Sequence, residues 1–248
     1  MTDPIDSAPR DAPPSEDPLR ADERMHGKRA VIVSGGGRYA DPWHPFVETS
    51  AALADILIAL GLQVTIDDDP DTRLANLDGV DLLVTNIGNP GRSTSPAAQV
   101  ADEAARAGIL AFRRRGGPLL AMHSSVTSLI AMPEWEDVLG AIWVRGVSMH
   151  PPLDLARIRI YPNRHAIVRG QRDFEVNDER YSLLRVGLKT IALASHELDG
   201  ERHPLLWAHE RGGARVVVDL LGHDARSYES AEHREIIARS ACWLLGSL

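Results

Sequence analysis

The chain has 248 residues, 44% of them hydrophobic and 25% charged, with a formal net charge of −8. That length and balance fit one sizeable domain of ordinary soluble composition. The negative charge argues against a nucleic-acid backbone or an anionic membrane as partner, and no apolar run reaches the roughly 20 residues that a membrane-spanning helix needs.

Residues 1–26 carry Pro4, Pro9, Pro13, Pro14 and Pro18 among acidic residues, serines and arginines. Such a segment cannot bury enough apolar surface to offset the entropy of ordering, so a flexible tail is expected, with the domain over 27–248. The tail lacks the basic start and apolar stretch of a secretory signal. Cys242 is the only cysteine, which excludes an internal disulfide and fits a cytoplasmic protein with this thiol in its core.

Ala30-Val-Ile-Val33 reads as a first buried strand, followed by the turn Ser34-Gly-Gly-Gly37. The glycines do not have the G-x-G-x-x-G spacing of a dinucleotide loop, and Asp41-Pro-Trp-His-Pro45 separates them from the next helix. Phe46–Leu60 is a helical stretch stopped by Gly61, and Leu62–Ile66 is a second strand ending in Asp67-Asp-Asp-Pro70. Those three carboxylates could touch a ribose or a cation, although a solvated turn is the simpler reading. A short helix over Asp71–Leu77 and a third strand over Val80–Val84 follow. A loop over Thr85–Thr94 leads to Ser95-Pro96, an N-cap with proline at N1, which opens a helix reaching Arg115. Gly116-Gly117 then returns the chain to a short apolar run ending at His123-Ser124-Ser125.

This alternation, with connections long enough for crossovers, predicts an α/β fold with a mainly parallel sheet between helical layers. After His123 the pattern suggests a helical stretch to Leu139, then strands over Leu153–Tyr161, Thr190–Ala194, Leu205–Ala208 and Arg215–Leu221. A closing helix over Glu229–Leu245 ends the chain.

The histidines are placed unevenly. His44, His123 and His223 each fall just beyond the carboxyl end of an expected strand, where open α/β sheets bind ligands. His150 sits in a loop stiffened by Pro151 and Pro152, and Glu179 precedes Tyr181 in Asn177-Asp-Glu-Arg-Tyr181. Imidazoles beside a carboxylate can act as general acid and base, or ligate zinc or manganese, and no local spacing such as H-E-x-x-H decides between these. His123 and Glu179 are the acid/base candidates. His44, His150, Tyr181, Trp207 and His223 are candidates for substrate contact, and His44, His123, His150 and His223 for holding a divalent cation. His165 and His203 are expected in turns, His209 and His233 on the surface.

These features in this order resemble the ThuA-like (trehalose utilisation) family of the class I glutamine amidotransferase-like superfamily. The likeness runs from Lys28 to Leu248. It is carried by His44 with Phe46, Gly116-Gly117 through His123, Trp135 with Leu139-Gly140, and His150. It continues through His165–Gly170, Asp178-Glu179 with Tyr181, Pro204 with Trp207, and Gly222-His223. The resemblance implies a flavodoxin-like three-layer sandwich and a role in carbohydrate metabolism, on a glycoside or keto-sugar. In the wider superfamily the turn after this strand carries a nucleophilic cysteine. Here His123 takes that place, so a cysteine-dependent amidotransferase is not expected. The leading expectation is a sugar-processing hydrolase, lyase or isomerase working through a His/Glu crevice on a small saccharide, in a chain that could pair as a homodimer. A non-catalytic sugar-binding or regulatory module is the alternative, and a flavin-binding electron carrier a weaker third.

Overall fold

The computed structural model describes residues 25–89, 91, 95–187 and 190–248. The expected tail therefore lies outside the described residues except for Met25 and His26. Met25 belongs to the core, fully buried, with its sulfur accepting from Ser247 Oγ.

The first half alternates as the sequence suggests: β1 (Arg29–Ser34), α1 (Phe46–Ala59), β2 (Gln63–Asp67), α2 (Pro70–Ala75), β3 (Leu82–Asn86), α3 (Pro96–Arg114) and β4 (Leu119–Met122). The second half holds α4 (Trp135–Leu139), β5 (Ala141–Ile142), β6 (Asp154–Ile160), β7 (Phe174–Asp178), β8 (Arg185–Val186), β9 (Ile191–Leu198), β10 (Glu201–Arg211), β11 (Ala214–Asp219) and α5 (Ala231–Leu244). The main sheet has nine strands in the order β2-β1-β3-β4-β11-β10-β9-β6-β7, and β5 pairs with β8 in a separate ribbon.

From β2 to β11 every neighbouring pair is parallel. β1 and β3 each hold an unbroken apolar run and β4 is entirely apolar, with nearly every residue buried, as strands covered on both faces must be. Right-handed crossovers place α1 on one face and α2 and α3 on the other. Accordingly α1 packs with α5, and α2 with α3. This is the flavodoxin-like sandwich. Beyond β11 the sheet continues antiparallel through β10, β9, β6 and β7.

The glycine cluster after β1 serves packing. A Cβ on Gly35 would come within 2.4 Å of the Phe46 ring, and one on Gly36 within 2.1 Å of the Asp68 carbonyl. The triple aspartate is a turn: Asp67 pairs with Arg73 at 2.7 Å, and Asp69 caps α2 by accepting from Thr72 N.

Two local expectations change, and one strand breaks its own alternation. The stretch after His123 is not one helix but a 3-10 turn (His123–Thr127) and, past Leu129 at φ +50° and Pro133, the short α4. In β6 the buried face is Ala156, Ile158 and Ile160, and Leu155 points to solvent, because Leu155 and Ile158 have opposite parity on a strand. His233, expected at the surface, is fully buried, with Nε2 3.2 Å from Asp219 and Nδ1 against Ser227.

Two outcomes follow from this packing. Gly36 has an extended φ of −138° that alanine can adopt, so Gly36→Ala would ordinarily be harmless. The clash with the Asp68 backbone makes it destabilising instead, by about 1–3 kcal/mol in urea unfolding. The second concerns His233. Burial opposes its charge, but the Asp219 carboxylate, helped by Asp178, outweighs burial and raises its pKa. Its contribution is therefore complete below the unfolded value of about 6.5 and fades as pH rises through the folded value. Asp219→Asn should lower stability by about 3–5 kcal/mol and flatten this fall in urea midpoint. An equal slope in both proteins would disprove the assignment.

Candidate metal centre and crevice

The carboxyl ends of β1, β4 and β11 lie on one edge of the sheet, and each delivers one imidazole. At the first, Asp41 accepts from the amides of Trp43 and His44 at 2.9 and 3.0 Å, and the same carboxylate meets His44 Nδ1 at 2.8 Å. The Asp41-Pro-Trp-His-Pro45 interruption is thus the turn that aims His44 inward. At the second, His123 follows β4 directly with φ +38°, a left-handed conformation that costs a non-glycine residue on the order of 1 kcal/mol. Its Nδ1 donates to the Leu220 carbonyl at 2.7 Å. At the third, the amides of Gly222 and His223 donate to the buried Asp178 carboxylate at 2.7 and 3.2 Å. Asp178 also takes the amide of Glu179, at 2.8 Å, so one carboxylate fixes both His223 and its neighbour Glu179.

These contacts bring His44, His123, His223 and Glu179 together, with one donor atom from each within 4.8 Å of the others. The three rings stand edge-on, with centroids 5.0 to 5.4 Å apart. Glu179 Oε2 lies 3.2 Å from His223 Nδ1 and 3.5 Å from His123 Nε2. His44 Nε2, His123 Nε2 and His223 Nδ1 are buried and, apart from the Glu179 carboxylate beside the last two, have no hydrogen-bond partner among the described residues.

The tautomers follow from the outer contacts. With Nδ1 donating outward on His44 and His123, each neutral ring turns a bare lone pair inward. A lone pair facing the Glu179 carboxylate is acceptor against acceptor, and only a proton or a cation between them relieves it. Burial, with the nearby His123, pushes the His44 pKa down to about 4 despite Asp41, so that ring is neutral at pH 7. Burial works against charge on Glu179, yet when His123 and His223 carry the proton that a cation would replace, they hold its carboxyl well below the usual range. Burial likewise opposes charge on His223, but Glu179 wins and raises its pKa.

The donor set fits a divalent cation. Imidazole nitrogens with a carboxylate suit zinc or manganese, and spacings of 3.2 and 3.5 Å are near the ~3.3 Å edge of a zinc tetrahedron. Asp41 behind His44 and the Leu220 carbonyl behind His123 are the outer partners that orient metal-binding histidines.

Over the cluster opens a crevice of about 920 Å³, whose lining includes Trp43, Trp143, His150, Glu179 and Tyr181. Tyr181 packs its ring 4.4 Å from that of His123. Burial, then the Glu179 and Asp178 carboxylates, raise its pKa far enough to keep the phenol protonated. His150 stands outside the cluster, its Nδ1 3.5 Å from Glu179 Oε1 and 3.0 Å from the Pro151 carbonyl. Among the described residues the group whose donor atoms converge has Glu179, rather than His150, beside the three strand-end histidines. Trp207, expected against a sugar, is instead wholly buried, its indole N–H donating to the Leu139 carbonyl at 2.7 Å. It faces the core because it falls on the inward side of β10. Of the other histidines, His203 is on β10 and buried, while His165 caps a 3-10 turn. His209 is half-buried, with both ring nitrogens enclosed.

Trp43 and Trp143, which stand close in sequence to His44 and His150, join the lining, and sequence reasoning missed Asp41 and Asp178. Asp41 had a signal, Asp three residues before His at a turn. Asp178 had none, because its partners are far away in sequence.

The family model described as trehalose utilisation, ThuA, matches residues 29–244. Among solved structures the chain is similar to a ThuA-like protein from Parabacteroides merdae, with TM-score 0.71, 16% identity, and 88% of this chain and 90% of that one covered. A ThuA-like protein from Bacteroides uniformis gives TM-score 0.68 and 13% identity over 88% and 91% of the two chains. A glutamine amidotransferase from Thermotoga maritima gives TM-score 0.56 and 9% identity over 89% and 99%. These identities speak for the fold alone. No curated protein sequence matches the chain. Among the described residues no helix is long and apolar enough to cross a membrane.

Proposed function

Because the chain belongs to the ThuA, trehalose utilisation, family, we propose that it is an enzyme of carbohydrate metabolism whose His44, His123, His223 and Glu179 hold a divalent cation beneath a sugar-sized crevice. The observation that carries this reading is the convergence on one carboxylate of three buried imidazole nitrogens that have no other hydrogen-bond partner among the described residues. A buried polar atom without a full partner is costly, and three such nitrogens around one carboxylate support a bound cation. Family membership supplies the substrate class, and the crevice supplies the room, since small-molecule sites commonly enclose about 300–1,000 Å³.

Bound there, zinc or manganese would polarise a sugar carbonyl or hydroxyl oxygen as a Lewis acid. The chain's own groups supply the rest. Asp41 and the Leu220 carbonyl hold two imidazoles in their ligating tautomers. The protonated Tyr181 phenol donates a hydrogen bond to a sugar oxygen. His150, whose Nδ1 is held between the Pro151 carbonyl and Glu179, keeps Nε2 as a base in the crevice that it lines. With His123 and Glu179 engaged as ligands, proton transfer to and from substrate passes to His150. In a metal-free form, His123 and Glu179 themselves are the acid/base pair. A cysteine-acyl route is closed, since the only cysteine, Cys242, is buried in α5.

The test is metal content by mass spectrometry on purified protein and on His123→Ala, with circular dichroism and thermal unfolding as controls for the fold. About one zinc or manganese per chain is expected, lost in the variant together with turnover of glycosides or keto-sugars. Wild-type protein that takes up no metal after reconstitution with either ion would overturn the metal centre. Unchanged turnover in His123→Ala would remove that residue from the chemistry.

A further inference from the structure

The crevice carries one feature that the cluster does not use. Arg145 lines it, two residues beyond Trp143. The turn bearing Arg145 is tightly held: the amides of Val147 and Ser148 donate to the Val144 carbonyl at 3.0 and 2.8 Å. Ser148 Oγ accepts from Val144 N at 2.8 Å and donates to the Leu183 carbonyl at 3.0 Å, which locks the base of the turn. The Arg145 guanidinium itself has no ion pair or hydrogen bond among the described residues.

Both carboxylates lining the crevice are committed elsewhere. Asp41 is spent on His44, and Glu179 on the histidine cluster. Arg145 is thus a permanent positive charge facing the crevice without a counter-ion. A guanidinium offers a planar fork of N–H groups that matches a carboxylate with two parallel hydrogen bonds. The same crevice is lined by two indoles, Trp143 and Trp43, the latter 71% exposed and next to His44 in sequence. Their faces suit the apolar C–H face of a sugar ring.

We propose that the crevice takes a sugar bearing a carboxylate, such as a uronate, with the carboxylate on Arg145 and the ring against Trp143 and Trp43. The oxygens at the far side of the ring then reach the cluster. This rests on the reading of the site as a saccharide crevice over a cation. A carboxylate is favoured over a phosphate because sites for a dianion gather several cationic or backbone N–H donors. Arg145 is the only lysine or arginine among the described residues that line the crevice.

The experiment is calorimetric titration of the full-length, zinc-incubated chain with D-glucuronate, D-glucose and a glucose phosphate. Wild type, Arg145→Ala and Arg145→Lys are compared, and bound metal is measured in each sample. Glucuronate should bind wild type about tenfold or more tighter than glucose, a difference of about 1.4 kcal/mol. Arg145→Ala should erase that preference while leaving glucose affinity and metal content unchanged, and Arg145→Lys should restore part of it. Equal affinity for glucuronate and glucose, or a preference that survives in Arg145→Ala, overturns the proposal. So does a glucose phosphate that binds tighter than glucuronate, or failure of all three to bind. Metal bound without any uronate preference defeats this inference alone. A uronate preference without metal defeats the metal centre and leaves the Arg145 assignment standing.

Discussion

The hydrogen bond from His123 Nδ1 to the Leu220 carbonyl joins the ends of two neighbouring parallel strands, β4 and β11, at the point where the site begins. It sets which nitrogen carries the proton, and so turns the other, bare, toward Glu179. It also holds the imidazole while the backbone at His123 stays in a left-handed conformation that a free chain would leave. The strain and the orientation are one arrangement, because an extended backbone at residue 123 would point the ring elsewhere. Ser124 and Ser125 complete the clamp by donating to the carbonyls of Ile87 and Thr85 on the β3 side. The turn after β4 is therefore fixed from both flanks of the sheet.

The fourth donor arrives by a different route. Glu179 follows β7, the last strand of the antiparallel extension and the far edge of the sheet in hydrogen-bonding order. A flat sheet would leave it several strands away from β4, at about 4.8 Å per strand. The sheet's twist carries β7 back onto the segment that follows β11, and β7 touches the 3-10 turn at Ala225–Glu229. Asp178 makes that contact specific. It is fully buried and receives two amides from the Gly222-His223 turn, so any shift of β7 would strand a buried carboxylate. The antiparallel half serves as the arm that closes the cluster.

What the sequence revealed follows from where the physics is local. The parallel half was legible because strands buried on both faces read as unbroken apolar runs, and because Ser95-Pro96 and Gly61 punctuate the helices by well-understood backbone chemistry. The strand-end rule then located His44, His123 and His223 without any contact information. The antiparallel half was harder. β7 (Phe-Glu-Val-Asn-Asp) has only two strongly apolar residues, and its partner β6 changes the parity of its apolar positions midway. Trp207 and His233 were misplaced for a related reason. Whether a residue of β10 or α5 faces core or crevice depends on partners distant in the chain, Leu139 for one and Asp219 for the other. Pairing, unlike periodicity, leaves no local trace.

The superfamily that the sequence resembles carries a nucleophilic cysteine at the turn after β4, and a histidine at that turn implies different chemistry. A thiolate there attacks a carbonyl and needs only an oxyanion pocket and a proton carrier. An imidazole at the same turn is a poor covalent partner but a strong ligand and base, and its usefulness depends on what its free nitrogen faces. Alone, it would be a buried acceptor without a partner, and selection of that residue would be hard to understand. Faced by two further imidazoles and a carboxylate, the same lone pair becomes one corner of the proposed cation site. The fold supplies the strained turn in either case. The chemistry is decided by the three groups that the neighbouring strands and the returning antiparallel arm place opposite it.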